Sequence, residues 1–130
     1  MKFVIIQRTC TILFVLFLVF IFIFPSYYIK TTCIDVSAHI DAALEAAQNG
    51  DLTTAHEQTV VLGSILDKRV QKIKWFVNHS IVNEVILEAN LANESALEND
   101  QNAVIAALIA LQNSLDVLSE IELFDGNNIL

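Results

Sequence analysis

The sequence predicts an all-α protein, an N-terminal transmembrane helix followed by an antiparallel bundle of three to four helices. Three observations carry that expectation. Of 130 residues, 55% are apolar and only 17% charged, too oily for an ordinary soluble domain. The excess is uneven: Phe3, Phe14, Phe17, Phe20, Phe22, Phe24, Tyr27 and Tyr28 all precede residue 30. Past Ile34 there is no Pro and only Gly50, Gly63 and Gly126, so long helices are permitted and tight β-turns are nearly absent.

The N-terminal segment comes first. From Cys10 to Phe24 every residue but Thr11 is strongly apolar, and Thr9 to Ile29 makes a helix of roughly 31 Å, enough to span a bilayer. Tyr27 and Tyr28 sit where an interfacial aromatic belt belongs, and Pro25 falls near the end of the span, where a kink is tolerated. Lys2, Arg8 and the amino terminus precede the span while Lys30 alone follows closely, so the positive-inside rule puts the N-terminus in the cytoplasm. A cleaved secretory signal is the competing reading. It is disfavoured because Pro25-Ser26-Tyr27-Tyr28-Ile29-Lys30 offers no pair of small residues for a peptidase, Val36-Ser37-Ala38 lies too far downstream, and Lys30-Thr31-Thr32 before Cys33 is wrong for a lipobox. The expected organisation is a cytoplasmic stretch over 1–8, the span over 9–29, a juxtamembrane link over 30–36 and an extracytoplasmic helical domain over 37–130. Cys10 and Cys33 then lie a bilayer apart and cannot pair within one chain. An unpaired thiol in the link is favoured for Cys33 over a disulfide-linked homodimer.

Helix signals divide the domain. Ser37 is positioned to cap a helix running to Gln48, Asn49-Gly50 to end it, and Asp51 to cap the next. The second helix carries Leu52, Ala55, Thr59, Leu62, Leu66, Ile73 and Phe76 on alternating three- and four-residue steps, interrupted by Arg69. After Asn78-His79-Ser80 a third stripe comprises Val82, Val85, Ala89, Ala92 and Ala96. Glu98-Asn99-Asp100 turns the chain into a fourth, with Val104, Leu108, Leu111, Leu115 and Leu118, stopping at Phe124-Asp125-Gly126. The first of these helices is alternatively a continuation of the membrane helix. Short links favour antiparallel neighbours.

Charge and spacing exclude several functions. After Lys30 all fifteen acids face only four bases, a net charge of −11, which repels phosphate backbones, so no nucleic-acid partner is expected. His39, His56 and His79 have Ala43, Val60 and Asn83 four residues later, so no helical turn offers two strong ligands through His, and no metal or cofactor is expected. Glu84 with Glu88 and Glu94 with Glu98 read as solvated acidic faces. No GxSxG or Gly-rich phosphate loop occurs, and there are no loops long enough to build a site, so no enzyme is expected. Asn78-His79-Ser80 and Asn93-Glu94-Ser95 match the glycosylation pattern, but a helical setting weakens both.

The most distinctive local feature is Lys68, Arg69, Lys72 and Lys74 running into Trp75. These five residues are the candidate partner-contact site, reading either as a docking patch for an acidic partner or lipid headgroups, or as a core Trp with bases neutralising acids on neighbouring helices. Behind the short anchor, Asn49-Gly50-Asp51 with Ala55 after it, Trp75 followed by Asn78-His79, a helical second half and the terminal Asn128-Ile129-Leu130 together resemble the bacterial domain of unknown function 4363, a family of small membrane-anchored proteins. The likeness covers nearly the whole chain. It departs after the His, where the family commonly has acidic residues and Ser80, Ile81 and Asn83 stand here. The resemblance implies a single-pass bacterial protein working beside other envelope proteins, and carries over no catalytic residue. The expected role is a protein-interaction or scaffold module for another membrane or envelope protein. A ligand-sensing bundle is the alternative, and would have to signal through a partner because only eight residues precede the span.

Overall fold

A computed structural model describes residues 1–73 and 79–127, with side chains for 1–72 and 79–120. It contains four helices, α1 (Lys2–Gln48), α2 (Leu52–Ile73), α3 (His79–Leu97) and α4 (Gln101–Asn127), and no strand among the described residues. Each helix packs against two others in cyclic order, α1 on α2 and α4, α3 on α2 and α4.

α1 is one uninterrupted helix of 47 residues, about 70 Å long, so two expectations fall. Residues 30–36 are helix and not a link, and Ser37 caps nothing: it lies inside α1 and donates to Gln112 Oε1 on α4 at 3.0 Å. The alternative, in which the membrane helix continues into the domain, is the one found. The chemistry is local. Lys30–Val36 contains no Gly or Pro, and the hydroxyls that would compete with the backbone are satisfied within the helix, Thr31 donating to Tyr27 O at 2.9 Å and Thr32 to Tyr28 O at 2.8 Å. Phe20, Phe24 and Tyr28 stack at successive four-residue steps, with centroids 5.1 and 5.9 Å apart, across Pro25.

The two halves of α1 have different surroundings. From Phe3 to Phe24 nearly every large apolar side chain is exposed, whereas Pro25, Ile29, Thr32, Cys33, Val36, Ile40, Ala43, Ala46 and Ala47 are buried. Burial on the partners follows the stripes read from sequence. α3 buries Val82, Val85, Ala89, Ala92 and Ala96, and α4 buries Val104, Leu108, Leu111, Leu115 and Leu118, with Ala107 and Ser114 beside them. α2 departs in one place: its stripe passes from Leu66 to Val70, so Arg69 lies beside the stripe and does not interrupt it. The side chain of Ile73 and the whole of Phe76 lie outside the described residues. α4 also runs through Gly126 to Asn127, because a single Gly inside a helix costs only about 1 kcal/mol and no following Pro enforces a stop.

Two matching joints hold the helices at one end. After α1, Gly50 N donates to Ala47 O and Asp51 N to Ala46 O, with Gly50 at φ 78; after α3, Asn99 N donates to Ala96 O and Asp100 N to Ser95 O, with Asn99 at φ 56. Both are Schellman turns, closed by a left-handed residue. Each is followed at once by an Asp that starts the next helix, Asp51 Oδ1 accepting from Thr54 N and Asp100 Oδ1 from Ala103 N, both at 3.1 Å. The hydrogen bond from the Thr54 hydroxyl, then that from its backbone N–H, holds the Asp51 carboxyl below its ordinary value.

The two open glycines predict opposite outcomes for one substitution. A methyl group at either Gly50 or Gly63 meets nothing within 4 Å, and only Gly50 has positive φ. Gly50→Ala should lower stability by about 1 kcal/mol through backbone strain, whereas Gly63→Ala in mid-helix should raise it by about 0.5–1 kcal/mol. Thermal melts of the detergent-solubilised chain followed by circular dichroism check both signs.

Candidate contact site

α2 carries three of the five candidate residues at the end of the packed helices away from the two turns. Lys68 and Lys72 stand one turn apart and are exposed. Arg69, with 32% of its side chain exposed, pairs with Asp35 of α1 through Nη1 and Oδ2 at 2.7 Å. One of the four bases is therefore neutralised by a neighbouring helix. At this exposure the pair contributes no more than about 1 kcal/mol, so its significance is geometric, fixing which turn of α2 lies beside which turn of α1. Lys74 and Trp75 lie outside the described residues. So does Asn78 of the first glycosylation match, while Asn93 of the second lies within α3.

The same level of the structure holds an apolar crevice of about 10 Å³, lined by Ile29, Cys33, Leu66, Val70, Val85 and Leu115 among others. That is about the least space one water molecule needs. Lys68 and Lys72 bracket Val70 on α2, and Lys30, also exposed, follows Ile29 on α1. Lys30 was not among the candidates because it lies 38 positions from Lys68 in the chain. Only the return of α2 along α1 brings it to the same end of the packed helices, where Ile29 lines the crevice with Leu66 and Val70.

Cys33 corrects another expectation. It is buried, with 9% of its surface exposed and Sγ 4.0 Å from Leu115 O, not presented on a juxtamembrane link. A homodimer bridged at this position would require α1 and α4 to part. Burial, followed by the charge of Asp116, pushes its thiol up to about 11, so the reactive thiolate is scarce at neutral pH. Asp116 is in turn engaged, accepting from Gln112 Nε2 at 3.0 Å, while Gln112 Oε1 receives the Ser37 hydroxyl.

The remaining polar contacts are distributed along the helix seams and converge on no common point. His39 Nδ1 lies 2.8 Å from Gln58 Oε1, the Thr59 hydroxyl donates to His56 O at 2.8 Å and lies 3.3 Å from Asn93 Oδ1, and Gln101 Nε2 donates to Ala47 O at 2.7 Å. Among the described residues no three His, Cys, Asp or Glu side chains come together as a metal site. For the thiol, the expected outcome is kinetic: in a Cys10→Ala background at pH 8, Cys33 should react with a maleimide at least roughly tenfold more slowly in the folded chain than in denaturant. The rate should rise as pH passes from 9 towards 11, where the thiolate forms and the stability contributed by the buried neutral thiol is lost.

No protein-family model matches the chain, and no curated protein or solved structure is detectably similar to it.

Proposed function

We propose that this is a single-pass membrane protein of the bacterial cell membrane whose antiparallel helical bundle is a protein-interaction or scaffold module outside the cytoplasm. The observation that carries the reading is the division of α1. Its first half is an apolar rod with no neighbours, its second half is core, and a bare rod of that size in water would be an aggregation site. Lipid is the medium that accommodates it. Even its hydroxyls suit lipid, since Thr9 donates to Ile5 O and Thr11 to Gln7 O, both at 2.9 Å, leaving no unsatisfied donor. α4 is also long and apolar enough to cross a membrane, but its stripe faces the other helices, so α1 is taken as the single span.

Lys2 and Arg8 support a cytoplasmic N-terminus. Lys68, Arg69 and Lys72 do not offset them, because the rule weighs charges within roughly 15–20 residues of the span and these lie farther along the chain. The resemblance to the domain of unknown function 4363 fits the same reading, although its Asn49-Gly50-Asp51 element is explained by turn geometry alone. What supports an interaction role is what the bundle offers. Its described turns are too short to build a site, its crevice is too small for an effector, and α3 presents Leu87 and Leu91, 56% and 42% exposed and one turn apart, on the side opposite its buried stripe. We assign the partner contact to that face and propose no enzymatic activity.

Two experiments test this. In a chain lacking both native cysteines, Ser64→Cys on exposed α2 should react with an impermeant maleimide in intact cells while Lys2→Cys should not; the reverse pattern inverts the topology. In a crosslinking pull-down, Leu87→Glu with Leu91→Glu should lose the membrane partner while the helical signal of the purified variant persists, because exposed positions tolerate charge at about 0.5 kcal/mol. Retention of every partner would remove α3 from the interface.

A further inference from the structure

We infer that Lys30, Lys68 and Lys72 form a collar that binds the phosphates of anionic lipid headgroups. This rests on the membrane reading above, and the argument is one of height. Phe24 ends the continuous run of bare apolar residues on α1, with Ile34 exposed singly farther on, and Lys30 follows Phe24 by six residues on the same unbroken helix, about 9 Å along the axis. The polar layer on each side of a bilayer's hydrocarbon core is roughly 5–8 Å deep, so Lys30 is carried just past the outer edge of the headgroup layer and its long stem can reach back into it. Asp35–Arg69 lies five residues beyond Lys30 on α1, about 8 Å, and Ile29, Cys33, Leu66 and Val70 share the crevice, so Lys72 comes nearest Lys30 in height and Lys68 stands one turn farther from the rod. Tyr27, 70% exposed one turn before Lys30, supplies the aromatic that favours this interface.

The charges nearby leave the three lysines available. Arg69 is held by Asp35, and Asp67 is turned about 100° round α2 from Lys68, towards the α3 side. Asp116 accepts from the neutral Gln112 and keeps its charge, but no ion pair among the described residues engages Lys30, Lys68 or Lys72. Of the body's fifteen acids, eight are remote, while Glu84, Asp116 and Glu120 are exposed at the same end as the lysines. Residues 37–63 and 88–112 contain no Lys or Arg but hold Asp41, Glu45, Asp51, Glu57, Glu88, Glu94, Glu98 and Asp100. Asp41 is eleven residues beyond Lys30 on α1, about 16 Å, and screening at physiological salt acts over about 8 Å. A headgroup at the collar therefore meets the lysines directly and those eight acids through salt.

The test uses the purified full chain in non-denaturing detergent with equal amounts of phosphatidylglycerol and phosphatidylcholine, reading retained lipid by native mass spectrometry. The wild type should retain phosphatidylglycerol about tenfold over phosphatidylcholine, and the preference should fall as salt is raised. Lys30→Gln with Lys68→Gln and Lys72→Gln should bring the ratio near one, while the corresponding three Arg substitutions keep it. Equal retention of both lipids by the wild type, or an unchanged ratio in a helical Gln variant, overturns the proposal. If the Gln variant does not fold, the Arg variant and the salt series decide, and a salt-independent ratio overturns it. Release of the chain from membranes by alkaline carbonate would instead remove the anchored reading, whereas a chain that resists carbonate but shows no lipid preference removes only the collar.

Discussion

The rest of the structure depends on the continuity of α1. An α-helix satisfies its own backbone in any medium, so a single helix can serve a span and a core if its side chains change character along its length. Here they do so over a few residues, from the exposed Phe22, Ile23 and Phe24 to the buried Pro25, Ile29 and Thr32. Pro25 withholds one backbone donor at this junction, yet the helix passes through it, with the Phe20, Phe24 and Tyr28 rings stacked on both sides. With no hinge in between, the height of every other residue relative to the bare rod is fixed by helical rise. A flexible 30–36 link would have left Lys30, Lys68 and Lys72 at no defined height above the bare rod.

Along that helix and its partners the buried residues become smaller towards the turns. Near the joints the buried residues are mostly Ala43, Ala46, Ala47, Ala55, Ala92 and Ala96, whereas the opposite end buries Ile29, Val36, Leu66, Val70, Leu115 and Leu118. Alanine permits close helix approach, and the matching Schellman turns set the same tight spacing for both hairpins. At the other end the side chains are larger, and there each buried Leu or Ile contributes about 1.5–3 kcal/mol. The small crevice beside Cys33 falls at this end.

Much of this was legible in the sequence. The stripes of α3 and α4 were readable because Val, Ala and Leu recur at helical spacing among polar neighbours, and Asp51 and Asp100 because an Asp after a left-handed residue is a strong start signal. What misled was chemistry that carries two meanings. Ser37 is as good a cap as a mid-helix hydroxyl, and only Gln112, 75 positions away, tells which. Arg69 looks like a break only if three- and four-residue steps must strictly alternate; Val70, four residues after Leu66, is equally one turn on and is the buried residue. Cys33 was placed on a surface link because its burying partners, Leu66 and Leu115, come from α2 and α4. Of the contact site, Lys68, Arg69 and Lys72 were visible as a run, but Lys30 and Asp35 join them only through the fold.

Alanine seams favour proximity and leave register loosely specified, since one small residue packs much like the next. The polar contacts remove that freedom. Asp35–Arg69 and His39–Gln58 fix α2 against α1, Thr59–Asn93 fixes α3 against α2, and Ser37–Gln112 with Gln101–Ala47 fixes α4 against α1; α3 and α4 are registered by the Asn99 turn between them. Each is worth about 1 kcal/mol or less at partial exposure, too little to hold the helices together, but sliding a pair by one turn would strand both partners while returning nearly the same apolar contacts. The cost of mismatch is therefore larger than the gain of the match, and polar side chains distributed along the seams account for how so plain a core selects one arrangement of four helices.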